Sequence, residues 1–327
     1  RDKLSSLRPS SAPGPDGIHP RLLRACADQL ALPLSIIFEK SMSEGALPTD
    51  WKSTHISLIF KKGSRQSAAN YRPINIASVP AKVMESIIKD SLLEHLLVNE
   101  CIIPSQHGFM PGRSCTTNLV EYLNAVTKAI DDGVSYDVIL CDFQKAFDKV
   151  PFDGMLIKIE AHGVRGELLR WIGDWTVNRR QRVVLNGSES SWEGVTSSVV
   201  QGSVLGPLLF LMYINCLDLA IKSSDDSILV SKYADDTKLG RAIADVNDCM
   251  KLQTAANNLV SCCNDWGMSL HPEKCVVLHF GRNNPNHAYF IGQQQLNAVP
   301  YAKDLGVIIS NTCESSLHID KITKSAH

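Results

Sequence analysis

The pattern of apolar and polar positions predicts several strands. Residues 51–62 alternate between apolar and polar side chains through Ile56 and Phe60, as a half-buried strand does. Residues 136–143 form a nearly uninterrupted apolar run, which is typical of a strand that is buried on both faces. Further strands are predicted at 183–186, 275–280 and 304–309.

Other segments are predicted to be helical. In residues 245–266 the apolar side chains recur every three or four positions, which places them on one face of a helix. Pro20 supports a helix that begins there, because proline is favoured in the first turn. The predicted helices are 20–43, 81–97, 116–130, 154–162, 166–178, 208–221 and 245–266, with a further helix after Leu317.

Residues 227–239 predict a β-hairpin with two acids at its tip. Two apolar runs flank the turn Tyr233-Ala234-Asp235-Asp236, and aspartate tolerates the positive φ that a tight hairpin requires. Two neighbouring carboxylates repel each other unless a cation lies between them, and Mg²⁺ prefers such oxygen ligands. The tip is therefore a candidate metal site, with an ordinary solvated turn as the alternative.

Other aspartates put this hairpin in context. Asp131-Asp132 precedes a glycine and Asp225-Asp226 lies in a serine-rich loop, so both pairs are predicted to be solvated turns. Asp142 differs, because it lies near the end of an apolar run, where an unpaired carboxylate would be costly. We expect it to face a cation or a cleft, and a central sheet can place this strand end beside the hairpin tip.

Length, composition and charge narrow the class of protein. A chain of 327 residues suggests two or three subdomains, and 44% hydrophobic residues are ample for their cores. The net charge of −1 gives no global sign of nucleic-acid binding, which leaves local basic patches as the candidates. Ten cysteines without a Cys-x-x-Cys pair indicate reduced residues of an intracellular protein. No signal peptide and no apolar run of bilayer-spanning length is present, so neither secretion nor membrane insertion is expected.

Basic and polar residues concentrate in three loops. Lys61, Lys62, Arg65 and Arg72 form a cationic hairpin that could bind an anion or be simply solvated. The segment 179–182 is predicted to be a basic turn, and contact with nucleic-acid phosphates and plain solvation are equally open. The third loop contains Gln201 and Gly202, which precede a helix and suit the close approach of a ligand.

Short motifs along the whole chain permit a comparison with a known family. The motifs are A-P-G-P-D-G, F-K-K-G, N-Y-R-P-I, G-F-M-P-G-R-S, C-D-F-Q-K-A-F-D at 141–148, Q-G-S-V-L-G-P-L at 201–208, Y-A-D-D at 233–236, L-H-P-E-K at 270–274 and D-L-G-V-I at 304–308. In this order they resemble the reverse transcriptase domain of non-LTR (LINE-type, jockey-like) retrotransposons. The resemblance covers practically the entire chain, and no single motif carries it.

The resemblance implies an α+β fold of the right-hand polymerase type, with a split β-α-β palm sheet. Residues 1–135 would form the fingers and N-terminal region, and 136–310 the palm. The overall reverse transcriptase domain would cover about 43–310, and 311–327 would be the start of a truncated thumb.

The resemblance also implies RNA-directed DNA polymerase activity, which transfers deoxynucleotides to a primer 3′-hydroxyl. Asp142, Asp235 and Asp236 are implied to be catalytic and, with the carbonyl of Phe143, to hold two Mg²⁺ ions, with Mn²⁺ as an alternative. The expected partners are an RNA template, a DNA primer and deoxynucleoside triphosphates, with no membrane. The expected location is intracellular, in the nucleus or in a cytoplasmic ribonucleoprotein.

Several further residues are implied to bind the nucleotide. The segment 304–309 is expected to support the primer terminus. Phe147 would select deoxynucleotides by placing its ring beneath the sugar, with an ordinary core phenylalanine as the alternative. The implied nucleotide-binding residues are Lys61 or Lys62 with Arg72 for the triphosphate, Phe147, Gln201, Gly202, and Lys274 as a proton donor to pyrophosphate.

Three positions depart from the family pattern and motivate a second hypothesis. The family usually has proline at Val200, aspartate at Cys216 and asparagine at His271. A decayed or co-opted copy could keep the fold and bind RNA without polymerising. The survival of all three carboxylates favours the enzyme.

Overall fold

The structure is a computed structural model that describes residues 1–61, 63–196, 199 and 202–326. Lys62, Val200 and Gln201 therefore lie outside the described residues. The described helices are α1 (Asp2–Ser5), α2 (Pro20–Ala25), α3 (Ala27–Glu44), α4 (Val79–Val98), α5 (Cys115–Asp131), α6 (Phe152–Ala161), α7 (Gly166–Thr176), α8 (Gly206–Ile214), α9 (Leu217–Ile221), α10 (Val246–Asp265) and α11 (Ser316–Ala326). None of these described helices combines the length and the apolar character that crossing a bilayer requires.

Strands alternate with these helices, so the fold is mixed α/β. The strands of the described residues are β1 (Ser53–Phe60), β2 (Tyr71–Ala77), β3 (Ser135–Cys141), β4 (Arg180–Leu185), β5 (Ser188–Glu189), β6 (Glu193–Gly194), β7 (Leu229–Tyr233), β8 (Asp236–Ile243), β9 (Val276–Phe280), β10 (Phe290–Ile291), β11 (Gln294–Gln295), β12 (Asn297–Ala298), β13 (Tyr301–Asp304) and β14 (Val307–Ser310). The coarse fold class predicted from the sequence is thereby confirmed.

The described residues divide into two compact units, each built from two separate chain segments. The first unit contains Arg1–Cys101 and Phe147–Tyr213. The second contains Ile102–Ala146 and the segment that begins at Ile214. The assignment of fingers, palm and thumb to particular segments stays a prediction.

The first unit is organised around a mixed sheet. Strand β1 pairs antiparallel with β2 and parallel with β4, and β4 also pairs with β5 and β6. Helices α3 and α6 both contact α7. A separate apolar cluster ties the N-terminal helices to α4 through Leu4, Leu23, Ala27, Val79 and Val83.

The second unit contains a sheet with the strand order β12-β9-β3-β8-β7 among its described residues. Strand β3 lies in the centre, antiparallel to both β8 and β9. It is buried along almost its whole length, as its apolar run predicted. Helix α5 contributes Leu119, Tyr122 and Val126 to a core that also contains Tyr136 and Val138 of β3.

Two predicted elements are interrupted in the structure. The helix predicted at 208–221 is divided into α8 and α9. The strand predicted at 304–309 is instead a hairpin of β13 and β14, which turns at Leu305 and Gly306. Both turn residues have a positive φ, and a leucine rarely adopts that conformation. The D-L-G-V-I sequence therefore resembled a continuous strand.

Candidate active site

Asp142 and Asp236 lie at the same end of neighbouring strands. Asp142 directly follows β3, and Asp236 is the first residue of β8. The strands are antiparallel, and Cys141 at the end of β3 pairs with Thr237. Continuing this register by one residue places Asp142 opposite Asp236. The strand end and the hairpin tip are thus adjacent, as the sequence predicted.

The hairpin of β7 and β8 has the predicted form, but the residue with a positive φ is not an aspartate, as the sequence had suggested. Tyr233 pairs with Asp236, which leaves Ala234 and Asp235 in the turn. The positive φ, 55°, falls on Ala234 and on neither aspartate. This conformation costs an alanine about 1 kcal/mol, because its Cβ crowds the following carbonyl oxygen. Contacts around the turn must therefore hold it in place.

Negative charges converge on Asp236. The pKa of this carboxyl is raised to about 6, mainly by burial and then by the charges of Asp235 and Asp304. Asp142 acts in the same direction, whereas Lys238 opposes the increase. Burial and the neighbouring carboxylates together therefore outweigh the positive charge of Lys238. Carboxylate oxygens are also the donors that Mg²⁺ prefers, so the chemistry of the cluster fits a hard divalent cation.

The carboxylates are not gathered into a complete ligand set. No group of three or more His, Cys, Asp or Glu side chains in the described part of the chain is close enough to hold a metal ion. Lys274 extends toward Asp142, and its Nζ lies 3.6 Å from Oδ1. The side chain of Lys274 is 59% exposed, so its ammonium group can change position when a ligand binds. The sequence placed Lys274 in the site, and the structure brings it to Asp142.

A buried ion pair connects β8 with the hairpin of β13 and β14. The ammonium group of Lys238 lies 2.8 Å from Oδ2 of Asp304 and also donates to Oδ1 of Asn118 on α5. Burial lowers the pKa of Lys238 and raises that of Asp304. No motif indicated this pair, although the two-residue period of a strand puts Lys238 on the same face as Asp236.

A cavity of about 470 Å³ opens beside these groups. Its size is in the range of small-molecule pockets. Charges of both signs line it, and the segment predicted to support a primer terminus contributes to its wall. The charged lining residues are Asp142, Asp236, Lys238, Lys274, Lys303 and Asp304.

The backbone around Asp142 is held by the segment that precedes β9. The Asp142 amide donates to Sγ of Cys275 at 3.3 Å, and the Asp142 carbonyl accepts from the His271 amide at 2.7 Å. Since His271 uses only its backbone here, this contact does not depend on the side chain that departs from the family pattern. Phe143, whose carbonyl is a predicted metal ligand, is buried next to Asp142.

The first unit carries the predicted triphosphate-binding residues. Lys61, Arg65 and Arg72 are exposed on the hairpin of β1 and β2. The amide of Lys61 donates to the carbonyl of Asn70 at 2.8 Å and closes the loop. The basic hairpin is confirmed, whereas phosphate binding by Lys61 and Arg72 stays a prediction.

The turn before α8 is held within the first unit. Gly202 has a φ of 98°, and a Cβ there would lie 2.9 Å from the carbonyl oxygen of Asn75. Its bare backbone is therefore needed for packing against β2. Glu85 on α4 is buried and accepts from the amides of Val204 and Leu205 at 2.7 and 3.2 Å. No local pattern indicated this role, because Glu85 lies inside an ordinary helical segment.

Phe147 is half-buried in the first unit and stacks on Phe210. The ring centroids are 4.1 Å apart, and the ring planes are inclined by 21°. Phe210 is fully buried, so the stack fixes Phe147 against a rigid surface. The role of Phe147 in sugar selection stays a prediction.

The basic segment 179–182 is not a turn. Strand β4 begins at Arg180, while Arg179 is buried and donates to the carbonyls of Trp175 and Trp51. Arg180 lies over the ring of Trp192, with Cζ 4.9 Å from the ring centroid. The prediction of a solvated basic turn is therefore wrong for this segment.

Of the other two Asp-Asp pairs, one is solvated as predicted. Asp131 and Asp132 are exposed. Asp225 is only 15% exposed in its side chain, and its Oδ2 lies 2.8 Å from Arg241. Hydrogen bonds from Ser227, helped by the charge of Arg241, lower the pKa of Asp225 to about 2. The serine-rich loop is thus fixed by an ion pair.

Comparisons with known proteins identify the family to which the chain is similar. A family model described as reverse transcriptase (RNA-dependent DNA polymerase) matches residues 59–322. The chain is 25% identical to the RNA-directed DNA polymerase from mobile element jockey of Drosophila melanogaster, over 99% of the chain and 36% of that protein. It is 27% identical to the probable RNA-directed DNA polymerase from transposon BS of the same species, over 84% of the chain and 31% of that protein.

A third relative is similar to the same extent. The probable RNA-directed DNA polymerase from transposon X-element of Drosophila melanogaster is 26% identical over 96% of the chain and 35% of its own length. The chain therefore spans about a third of the length of these curated relatives. The residues matched by the family model include Asp142, Asp235 and Asp236.

Proposed function

Because the chain belongs to the reverse transcriptase (RNA-dependent DNA polymerase) family, we propose that it is an RNA-directed DNA polymerase of a non-LTR retrotransposon. In this reaction a primer 3′-hydroxyl attacks the α-phosphate of a deoxynucleoside triphosphate, and pyrophosphate leaves. The proposal transfers to this chain the activity for which its relatives are named. It includes the right-hand arrangement of fingers, palm and thumb.

One observation carries the proposal. The β3–β8 register sets Asp142 opposite Asp236, with Asp235 in the adjoining turn. These three aspartates come from segments about 90 residues apart in sequence, yet they meet at one end of the sheet. Burial, and after it the negative charges around Asp236, including those of Asp235 and Asp142, raise the pKa of Asp236. A polymerase uses such a cluster to bind cations and substrate phosphates.

Asp142, Asp235 and Asp236, with the carbonyl of Phe143, would hold two Mg²⁺ ions, or Mn²⁺ in their place. Ions held there supply the charge that activates the primer hydroxyl and offsets the charge of the leaving pyrophosphate.

The remaining residues act on the nucleotide and on the leaving group. Lys274 is exposed and lies next to Asp142, so its ammonium group is suited to donate a proton to pyrophosphate. Lys61 and Arg72, with Lys62, would hold the triphosphate, because fixed positive charge stabilises the transition state. Gly202, with Gln201, would line the nucleotide, and Phe147 would contact its sugar.

Primer extension by the purified chain tests the proposal. The substrate is an oligo(dT) primer on poly(rA), with dTTP and either Mg²⁺ or Mn²⁺. The wild-type chain should extend the primer, and Asp235→Asn should reduce extension by about 100-fold or more, because the metal contribution is several kcal/mol. Asp226→Asn is the matched control, since Asp226 is itself exposed and belongs to an Asp-Asp pair outside the candidate site, so its substitution should not affect extension.

Binding of the same template, measured by filter retention, separates the alternatives. Asp235→Asn should still bind RNA, because binding depends on dispersed basic residues. RNA binding without extension by the wild-type chain would instead support a decayed or co-opted copy. Equal extension by wild type and Asp235→Asn would show that the aspartate cluster is not the catalytic centre.

A further inference from the structure

The loop that precedes α5 lies alongside the β7–β8 hairpin. Strand β7 is at the edge of its sheet, and residues 105–108 run parallel to it. The amide of Lys232 donates to the carbonyl of Ser105, and the amide of His107 donates to the carbonyl of Lys232, each at 2.8 Å. The loop therefore extends the sheet by one short segment next to the aspartates.

Gln106, in the middle of this loop, contacts the turn itself. Its Oε1 accepts from the amide of Ala234 at 2.9 Å and from the amide of Gly108 at 2.8 Å. Both partners are donors, so the orientation of the carboxamide is fixed by its contacts. The residue is 2% exposed, and its Nε2 has no hydrogen-bond partner among the described residues.

Gly108 shows how closely the loop and the turn approach. A Cβ at this position would lie 2.4 Å from the amide nitrogen of Ala234 and 3.0 Å from the carbonyl carbon of Tyr233. Real Cβ atoms do not approach a backbone so closely, so the loop and the hairpin tip are in direct backbone contact. The hydrogen bond from Ala234 to Gln106 is made within this contact.

We propose that Gln106 is a positioning residue for Asp235 and Asp236. The left-handed conformation of Ala234 is unfavourable for an alanine, and the hydrogen bond to its amide helps to hold it. Asp235 and Asp236 follow directly, so a turn that relaxes at Ala234 moves both carboxylates. The inference rests on the proposed polymerase function.

The two ends of the carboxamide distinguish positioning from simple stabilisation. An unpaired buried donor such as Nε2 lowers stability, whereas Oε1 orders the turn. Replacing Gln106 with leucine removes both ends at similar size. It also leaves the amides of Ala234 and Gly108 without their acceptor, so stability should fall moderately while the order of the turn is lost.

Kinetics of Gln106→Leu test the proposal. The variant should lose about tenfold or more in kcat, as expected for the loss of one ordering hydrogen bond, with KM for dTTP nearly unchanged. Gln253→Leu is the matched control. Gln253 lies on α10, and its Oε1 also accepts a hydrogen bond from a backbone amide, that of Phe290, at 2.8 Å. Gln106→Glu keeps the accepting oxygen and should retain more activity than Gln106→Leu.

A second measurement does not depend on turnover. Titration of the protein alone with Mn²⁺, followed by electron paramagnetic resonance, should give a Kd that is weakened about tenfold in Gln106→Leu, the usual effect of losing a residue that orients metal ligands. The variant should remain folded at the temperature of the titration, with a melting temperature that is only moderately lower. Gln253→Leu should retain the wild-type Kd.

The outcomes are separable. If the wild-type chain does not extend a primer, the proposed function fails, and the Mn²⁺ titration still tests Gln106. Wild-type kcat and Mn²⁺ affinity in Gln106→Leu would overturn the inference. A lowered melting temperature with unchanged Mn²⁺ affinity would also overturn it, because the role would then be structural only.

Discussion

Lys238 and Asp304 form an ion pair that is almost completely shielded from solvent, with 2% and 6% of their side chains exposed. The pair joins strand β8, which begins with Asp236, to the β13–β14 hairpin. Lys238 also lowers the pKa of Asp236, against the effect of the surrounding carboxylates. One lysine therefore connects the stability of the second unit with the electrostatics of the candidate site.

Lys238→Met should destabilise the protein by about 3 kcal/mol or more, because it leaves the charge of Asp304 buried without its partner. Urea denaturation measures this loss. The double variant Lys238→Met with Asp304→Leu should recover part of the stability, since no buried charge is then left unpaired. If the two substitutions simply add, the pair is not coupled as the structure indicates.

Asp236→Asn should raise the melting temperature of the metal-free protein at pH 7.5. The folded-state pKa of Asp236 is about 6, above the value near 3.9 of an unfolded aspartate. The folded state thus binds more protons between these pH values, and wild-type stability falls as the pH rises through this window. Asparagine does not titrate, so the advantage of the variant should disappear below about pH 4.

Added Mg²⁺ provides the control for this experiment. A cation at the cluster stabilises the wild type more than the variant, which should reduce the difference in melting temperature at pH 7.5. A difference that is independent of both pH and Mg²⁺ would contradict the electrostatic explanation.

Phe147→Val should allow ribonucleotides to be incorporated while much of the deoxynucleotide incorporation remains. Loss of the ring would remove the steric conflict with a 2′-hydroxyl. The measurement is the ratio of dNTP to rNTP incorporation, together with a thermal melt. Phe290→Val is a control at another partly exposed phenylalanine.

If Phe147 is only a packing residue, the outcome is different. The substitution would then leave a cavity at Phe210 and lower stability by roughly 3 kcal/mol, as large-to-small core changes do. The sugar preference would not change. A folded variant with an unchanged ratio would exclude the gate.

Glu85→Gln should raise KM for the nucleotide more than it lowers kcat. One carboxylate oxygen accepts hydrogen bonds from the amides of Val204 and Leu205, and the other accepts one from the indole of Trp175. A carboxamide has only one accepting oxygen, so glutamine cannot make all three hydrogen bonds. The turn that contains Gly202 should therefore loosen, with a stability loss of about 1–3 kcal/mol. Glu94→Gln, at an exposed position of the same helix, should leave both constants unchanged.

The parts of the site that the sequence predicted are those with a local pattern. The hairpin tip follows from two apolar runs around Asp235 and Asp236, and Asp142 from its place at the end of a buried strand. Gln106, Glu85 and the pair of Lys238 with Asp304 have no such pattern, because their partners lie far away along the chain. A side chain that accepts a hydrogen bond from a backbone amide far away in sequence cannot be recognised from the spacing of apolar residues.

The conformation of single residues was equally hard to predict. The positive φ at Ala234 and at Leu305 contradicts the preference of both residue types. At Ala234 the contact with Gln106 overrides the local preference. This tertiary contact explains why the positive φ lies on Ala234 rather than on an aspartate. At 304–309 the turn at Leu305 and Gly306 interrupts an apolar run that resembled a continuous strand.

The central position of β3 also has a consequence for synthesis on the ribosome. Its partners β8 and β9 begin at Asp236 and Val276, so they emerge long after Cys141 has been made. At about 5–20 residues per second, completing the sheet takes roughly 7–30 s after β3 appears. Until β8 has been made, this largely apolar strand has both edges unpaired, a state that promotes aggregation. The nascent chain should therefore depend on chaperones at this stage, before the aspartates have come together.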